Sequence, residues 1–268
     1  MNEYFAEFVG TALLIVLGGG VNAGVSLTKS FAHQQGWLVI ALGWGLAVTF
    51  AIYAVGSISG AHINPAVTLG LWSVDEFPAN KVLGYILAQV AGGFTGATLV
   101  WIHYLPHWSR TEDQGTKLGV FSTGPAIDHW PSNLISELIG TAVLTLALLM
   151  IGANSFSEGL NPLVVGGLIV AIGVSLGGTT GYAINPARDL GPRIAHFLLP
   201  IAGKGSSNWR YAWIPVVGPC VGGIQGAVLY QLLFQQKITT LGYVISLTTV
   251  VLIALTIYMN LSEKREQT

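Results

Sequence analysis

Two half-length apolar runs, in a chain otherwise built from full-length ones, limit the possible folds more than any other feature. One begins at Asn64-Pro65-Ala66-Val67-Thr68 and the other at Asn185-Pro186-Ala187-Arg188-Asp189. Asparagine is a favoured helix N-cap, and proline suits the first helical position because its missing N–H costs nothing there. The runs Asn64–Val74 and Asn185–His196 therefore predict short helices of about 11 and 12 residues, roughly 16–18 Å long at 1.5 Å per residue. That is about half of a ~30 Å hydrocarbon core. The rest of the chain makes a bilayer the right yardstick: 52% of residues are hydrophobic and only 9% charged, against ~25% charged in soluble domains. This balance excludes an ordinary water-soluble globule.

Apolar runs suited to spanning helices lie at 5–27, 37–56, 80–103, 132–152, 161–180 and 211–234. The breaks at Lys29–Gly36, Leu105–Pro131 and Gly203–Arg210 read as water-exposed loops, with a shorter one at Asn154–Gly159. Glycines four apart (Gly92/Gly96, Gly173/Gly177, Gly218/Gly222, Gly222/Gly226) allow close approach of helix backbones in lipid. The net charge of −1 gives no reason to expect nucleic-acid binding. A single cysteine, Cys220, rules out an internal disulfide framework and a cysteine-based metal cluster; neither a metal nor a cofactor is expected. The stretch Met1–Phe5 has no basic region or cleavage site, so the first run is expected to be a retained span.

The chain also repeats itself. Glu7-Phe8-Val9-Gly10-Thr11-Ala12 returns as Glu137-Leu138-Ile139-Gly140-Thr141-Ala142, and His62-Ile63-Asn64-Pro65-Ala66 returns as Ala183-Ile184-Asn185-Pro186-Ala187. Three spans separate equivalent positions, so the second half crosses the membrane in the opposite sense. An inverted repeat with a broken helix in each half points to a site at mid-membrane depth between the repeats. Two helix N-termini meeting there would place about half a positive elementary charge each at the centre, a barrier to cations and protons. Asn64 and Asn185 can cap their helices and still offer amide N–H donors to a passing oxygen. Glu7 and Glu137 lie at lipid depth, where acids are functional suspects. One reading is a proton relay; the other, which the symmetry favours, is an acceptor repairing unpaired backbone N–H groups of a re-entrant loop.

Two intact Asn-Pro-Ala boxes in an inverted duplication resemble the major intrinsic proteins, the aquaporin family, over roughly residues 1–236. Asp189 directly after Arg188, Arg193 four further on, and Pro215-Val216 in the sixth span resemble the glycerol-conducting branch. The resemblance implies an all-α membrane protein with six spanning helices, two re-entrant half-helices, one pore per subunit and a homotetramer in the cell membrane. It implies a channel domain over 1–236, with repeats at about 1–103 and 132–236 joined by 104–131. It further implies a selectivity filter of Trp44, Gly173, Tyr182 and Arg188, with His62 bracing the cytoplasmic half of the pore. In that filter Trp44 and Tyr182 would form an apolar corner with Arg188 across from both, and Gly173 would leave room. Pro65, Pro186 and Asp189 would support the half-helices along with Glu7 and Glu137.

Two departures qualify the resemblance. Tyr182 stands where glycerol facilitators commonly have Phe, and its hydroxyl is expected to bond a solute or draw Arg188 inward. After Lys237, the run Ile238–Asn260 carries no charge and precedes a short charged tail. It is long enough for an extra spanning helix, with a helix lying on the membrane or on neighbouring subunits as the alternative. The expected function is not enzymatic: passive diffusion of glycerol, water and similar small neutral solutes, excluding ions. Undissociated lactic acid, dihydroxyacetone and hydrogen peroxide remain open as solutes, and a coupled secondary transporter is the competing class.

Overall fold

The computed structural model describes residues 1–266, and it is all helical. In chain order the helices are α1 (Glu3–Ser26), α2 (Trp37–Ser59), α3 (Pro65–Ser73), α4 (Ala79–His103), α5 (Leu105–Trp108), α6 (Gln114–Phe121), α7 (Trp130–Gly152), α8 (Asn161–Leu176), α9 (Pro186–Leu198), α10 (Ile214–Tyr230) and α11 (Thr240–Glu266). Among the described residues, α1, α2, α4, α7, α11 and the stretch Ile214–Gln235 are long and apolar enough to cross a membrane. The apolar α8 is shorter, at 16 residues. The run expected to span 161–180 stops being helical at Leu176, and Gly177–Thr180 form turns. Those turns bring the Thr180 hydroxyl to Glu137, 2.7 Å away.

The half-helices start where proline and asparagine dictate. Asn64 caps α3 and Asn185 caps α9, each accepting from the backbone N–H two residues on. Pro65 and Pro186 occupy the first helical positions.

Missing side chains let the halves interlock. A Cβ added to Gly92 or Gly96 of α4 would overlap the backbone of α1 at Phe8 or Ala12. A Cβ on Gly222 or Gly226 of α10 would overlap α7 at Leu138 or Ala142. The half-helices seat the same way: Gly93 of α4 faces the Ala187 carbonyl, and Gly223 of α10 faces that of Ala66. Lipid offers no hydrophobic force between helices, so van der Waals contact at these points carries much of the association. In contrast, Gly173 and Gly177 face the Tyr182 ring.

The connection 104–131 is not the exposed loop expected from its polarity. Asp113 caps α6 through the Thr116 N–H at 2.6 Å, and the Thr116 hydroxyl and amide hold the Asp113 carboxyl below the usual range. Trp108 and Phe121 are buried, their ring centroids 5.5 Å apart, and Phe121 meets His196 of α9 at 5.4 Å. Lys117 is buried as well and donates to the Ala202 carbonyl at 2.6 Å, so both polar and aromatic residues of this stretch pack inward. The 203–210 connection is likewise partly internal, with Ser207 buried.

The extra segment forms a continuous helix, and it runs antiparallel along α10. Gly242 packs on Val228 near the start, and Met259 borders a cleft with Trp213 and Ile214 near the end. Midway, Gln225 of α10 donates to the Ser246 hydroxyl at 3.3 Å and accepts from that of Thr249 at 3.1 Å. With 23 residues over Thr240–Ser262, it is long and apolar enough to cross a membrane. Of the charged tail, positions 263–266 continue the helix, and 267–268 lie outside the described residues.

The inner contacts and the α11 contact differ in kind, and mutation separates them. Gly92→Leu or Gly222→Leu pushes a side chain into backbone and is expected to lower the melting temperature of the solubilised protein by 10 °C or more, or abolish expression. Gln225→Leu removes only the polar tie to α11 and is expected to shift melting by about 5 °C or less. Thermal denaturation followed by light scattering distinguishes the two classes.

Candidate functional site

The entry to each half-helix is a turn that L-residues rarely adopt. Ala61 (φ +49°) and Ile63 (φ +43°) precede α3, and Tyr182 (φ +39°) and Ile184 (φ +44°) precede α9. Left-handed conformations cost about 1–3 kcal/mol each for such residues unless the surroundings enforce them. The enforcing groups are the two buried glutamates. Glu7 accepts from the His62 N–H (3.0 Å), the Ile63 N–H (2.6 Å), the Ser59 hydroxyl (2.6 Å) and the Gln89 amide (2.8 Å). Glu137 accepts from the Ala183 and Ile184 N–H groups, both at 2.9 Å, and the Thr180 hydroxyl at 2.7 Å. Neither glutamate is among the described residues bordering the central cavity. Both carboxylates are thus turned to the donors of the two turns.

At the centre the two asparagines cross over. The Asn64 amide donates to the Ile184 carbonyl at 2.9 Å, and the Asn185 amide to the Ile63 carbonyl at 2.8 Å. Their side-chain oxygens accept from Ala66 N–H (2.8 Å) and from Ala187 and Arg188 N–H (3.0 and 3.2 Å). An amide carries two N–H donors, so each asparagine keeps one beyond the clasp. Both residues border a cavity of about 430 Å³. Much of its remaining lining is aliphatic, including Leu14, Ile52, Val67, Leu144 and Ile169. The turn segments 60–63 and 182–184 border it too. Their N–H groups at 62, 63, 183 and 184 are bonded to carboxylates, so what these segments can offer a solute is carbonyl oxygen.

A second cavity of about 220 Å³ lies on the side of α6. Trp44, Tyr182 and Arg188 border both cavities and so form the partition between them. The Arg188 guanidinium carbon lies 4.1 Å from the Trp44 ring centroid, and its Nη1 donates to the Phe121 carbonyl at 3.4 Å. Arg188 is thus stacked on Trp44, not across from it, because a desolvated cation–π contact stabilises that position. Tyr182 is the facing member. Its ring meets Trp37 edge-on at 5.6 Å, and a Cβ on Gly173 would lie 2.9 Å from its Cζ and 3.0 Å from its hydroxyl. The space at Gly173 is therefore filled by Tyr182, whose hydroxyl is buried against α8 without a hydrogen-bond partner. It is shielded from the lumen and makes no hydrogen bond to Arg188 among the described residues, contrary to expectation.

Asp189 ties α9 to the outer connections. Its carboxylate pairs with Arg193 through two contacts, Nε at 2.7 Å and Nη2 at 3.0 Å, and accepts from the Thr123 N–H and hydroxyl, both at 2.8 Å. Arg193 also donates to the carbonyls of Thr123, Ser207 and Asn208. All its donors are matched, which is what makes a fully buried ion pair tolerable. His62 borders the central cavity, its Nδ1 3.0 Å from the Thr68 hydroxyl and its ring against both Phe77 and Tyr85.

Several residues escaped the sequence reading. Ser59 and Thr180 stand five positions before their asparagines, so comparing the two repeats would have exposed them. Gln89 and Thr123 have no such counterpart. Gln89 joins Glu7 to Thr68, with its amide 3.1 Å from the Thr68 hydroxyl. Only its polarity at lipid depth could have marked it.

A sequence model described as Major intrinsic protein matches residues 1–230. The glycerol uptake facilitator protein of Bacillus subtilis is 59% identical over 259 residues, covering 96% of this chain and 94% of the relative. The probable glycerol uptake facilitator protein of Thermotoga maritima is 59% identical over 234 residues, all of that relative but 87% of this chain. Among solved structures, the aquaglyceroporin from Plasmodium falciparum superposes with a TM-score of 0.76 at 32% identity, covering 91% of this chain and 98% of that one.

The carboxylate contacts give a graded prediction. Glu137→Leu strands three buried donors at about 1–3 kcal/mol each, and is expected to abolish folded protein or solute flux. Glu137→Gln keeps one accepting oxygen and is expected to retain partial flux with lower thermal stability. Equal behaviour of the two variants in proteoliposome flux and melting assays would contradict the acceptor role.

Proposed function

The chain belongs to the major intrinsic protein family, whose members are membrane channels and not enzymes, and we propose that it is a multi-pass channel for passive diffusion of glycerol, with water and similar small neutral solutes. Its bacterial relatives carry glycerol uptake in their names. The observation that carries the reading is the partition formed by Trp44, Tyr182 and Arg188 between the two cavities. A solute crossing it meets aromatic surface and the guanidinium donors of a buried arginine. A polyol has an apolar carbon backbone and a row of hydroxyl oxygens, and it can satisfy both at once. In this reading Trp44, Tyr182 and Arg188 form the filter, with Gly173 accommodating the tyrosine ring behind it. Asn64, Asn185 and His62 continue the pore, and Glu7, Glu137, Pro65, Pro186 and Asp189 hold the half-helices.

Ion exclusion follows from charge. Two helix N-termini and Arg188 together set positive potential along the path, and in a site poor in water such charges act with little screening. A neutral solute is indifferent to it. We further propose that residues 1–236 are the channel domain and 237–268 an accessory segment, and that the subunits assemble as homotetramers. The exposed apolar stripe Leu38, Leu42, Leu46 and Phe50 on α2 supports packing against a neighbour or lipid. Native mass spectrometry reads the subunit count.

Stopped-flow light scattering of proteoliposomes tests the activity. Glycerol entry is expected to rise linearly with its gradient and to ignore an imposed pH difference; uphill accumulation driven by protons would overturn the channel reading. Arg188→Ala is expected to relax selectivity, admitting larger polyols and raising cation leak. Tyr182→Phe is expected to leave the glycerol-to-water ratio within about 2-fold while raising thermal stability, because it removes an unsatisfied buried hydroxyl. A larger change in ratio would mean that the hydroxyl reaches the solute.

A further inference from the structure

We propose that Asn22 is a positioning residue for selectivity: it seats the Trp44 indole and withdraws that residue's only hydrogen-bond donor from the pore. The inference rests on the reading of Trp44 as pore wall. Asn22 lies on α1, on a helix that otherwise contributes apolar and small residues at this level, and it is 6% exposed. Its Oδ1 accepts from Trp44 Nε1 at 3.0 Å, and its Nδ2 donates to the Gly119 carbonyl of α6 at 3.3 Å. One turn earlier on the same helix, a Cβ on Gly18 would overlap the six-membered ring of Trp44. The indole therefore lies in a seat made by two α1 residues four apart, with Gly18 giving it room and Asn22 a tether.

The seat matters because of what else rests on the ring. Arg188 is stacked on it at 4.1 Å, so rotation of the indole would move the guanidinium as well. Indole has one N–H donor and no acceptor. With that donor bonded to Asn22, Trp44 presents only carbon to the lumen, and the hydrogen-bonding side chain of the partition is Arg188 alone. The tether also joins the filter to α6. That helix ends at Phe121, whose carbonyl accepts from Arg188, and Thr123 just beyond is held by Asp189. Both walls of the partition thus take their position from the 119–123 stretch.

Without the acceptor, the indole N–H is left unpaired in a buried site, and its nearest remedy is to turn toward pore water. The wall would then gain a donor and lose its flatness, favouring water over the carbon backbone of a polyol. Asn22→Leu is expected to lower the glycerol-to-water permeability ratio by about 2- to 10-fold, the range spanned by one net hydrogen bond. A general packing defect would reduce both permeabilities together and leave the ratio alone.

A double-mutant cycle isolates the route. Trp44→Phe has no N–H to tether, so Asn22→Leu in that background is expected to change the ratio by less than about 1.5-fold. An undiminished effect of Asn22→Leu in the Trp44→Phe background would overturn the proposal. So would an unchanged ratio in Asn22→Leu itself when Trp44→Phe alone shifts it. If Trp44→Phe leaves the ratio unchanged, it is the filter reading that fails. Should Asn22→Leu not fold, hydrogen exchange of 15N-labelled indoles in the unmutated protein decides. The resonance missing from Trp44→Phe identifies Trp44, and it is expected to exchange at least 10-fold more slowly than surface indoles. Exchange as fast as theirs would overturn the tether.

Discussion

Everything at the centre of this protein depends on two carboxylates holding two left-handed turns. A chain that enters a membrane halfway, reverses and starts a helix exposes backbone N–H groups that lipid cannot satisfy. Here those groups converge on Glu7 and Glu137. Binding them bends the chain through Ile63 and Ile184, and in that geometry each asparagine amide reaches the carbonyl just before the other asparagine. The clasp is therefore a consequence of the turns. Remove a carboxylate and the turn relaxes; the opposing half then loses its partner as well.

A symmetric scaffold carries asymmetric chemistry, and the asymmetry sits at matched positions. Val67 and Arg188 each follow an Asn-Pro-Ala box and each border the central cavity. One adds aliphatic wall, the other a charged donor. One residue later stand Thr68 and Asp189. Thr68 belongs to a hydrogen-bond network with His62 and, through Gln89, with Glu7, whereas Asp189 belongs to a buried ion pair with Arg193. A charged side chain at Arg188 needs a rigid base, and the fully bonded Asp189–Arg193 pair supplies one by fastening α9 to the 123 and 207–208 carbonyls. The first half, with Val67 at the matched position, has no comparable demand.

The features legible in the sequence were those encoded locally or twice. Half-helices announce themselves by Asn-Pro at a fixed place in an apolar run, and Glu7 and Glu137 by recurring in equivalent spans. The extra helix was visible as 23 uncharged residues, although its antiparallel seat on α10 depends on Gln225, an unremarkable residue until Ser246 and Thr249 come beside it. Polarity misled in the 104–131 connection. Asp113 caps a helix and Arg110 and Glu112 face outward, while Trp108, Phe121 and Lys117 fold inward, an outcome set by contacts with α1 and α9 that no local pattern records. The direction of the Tyr182 hydroxyl was equally hidden. It follows from the positive φ at that residue and from the space at Gly173, and both are properties of the folded turn.

The spanning helices supply the walls of the partition but do not by themselves aim its polar groups. Trp44 comes from α2 and Arg188 from α9, yet the atoms that orient them belong to α6 and the chain just after it, reached directly by Arg188 and through Asn22 by Trp44. The small-residue contacts that hold α1 to α4 and α7 to α10 are indifferent to what passes through the pore. Folding and selectivity are thereby lodged in different parts of the molecule. A substitution between glycine-packed helices acts on whether a channel forms at all. One in the 119–123 stretch acts on which neutral solute the finished channel prefers, since it moves the guanidinium and the indole face without disturbing the backbone contacts beneath them.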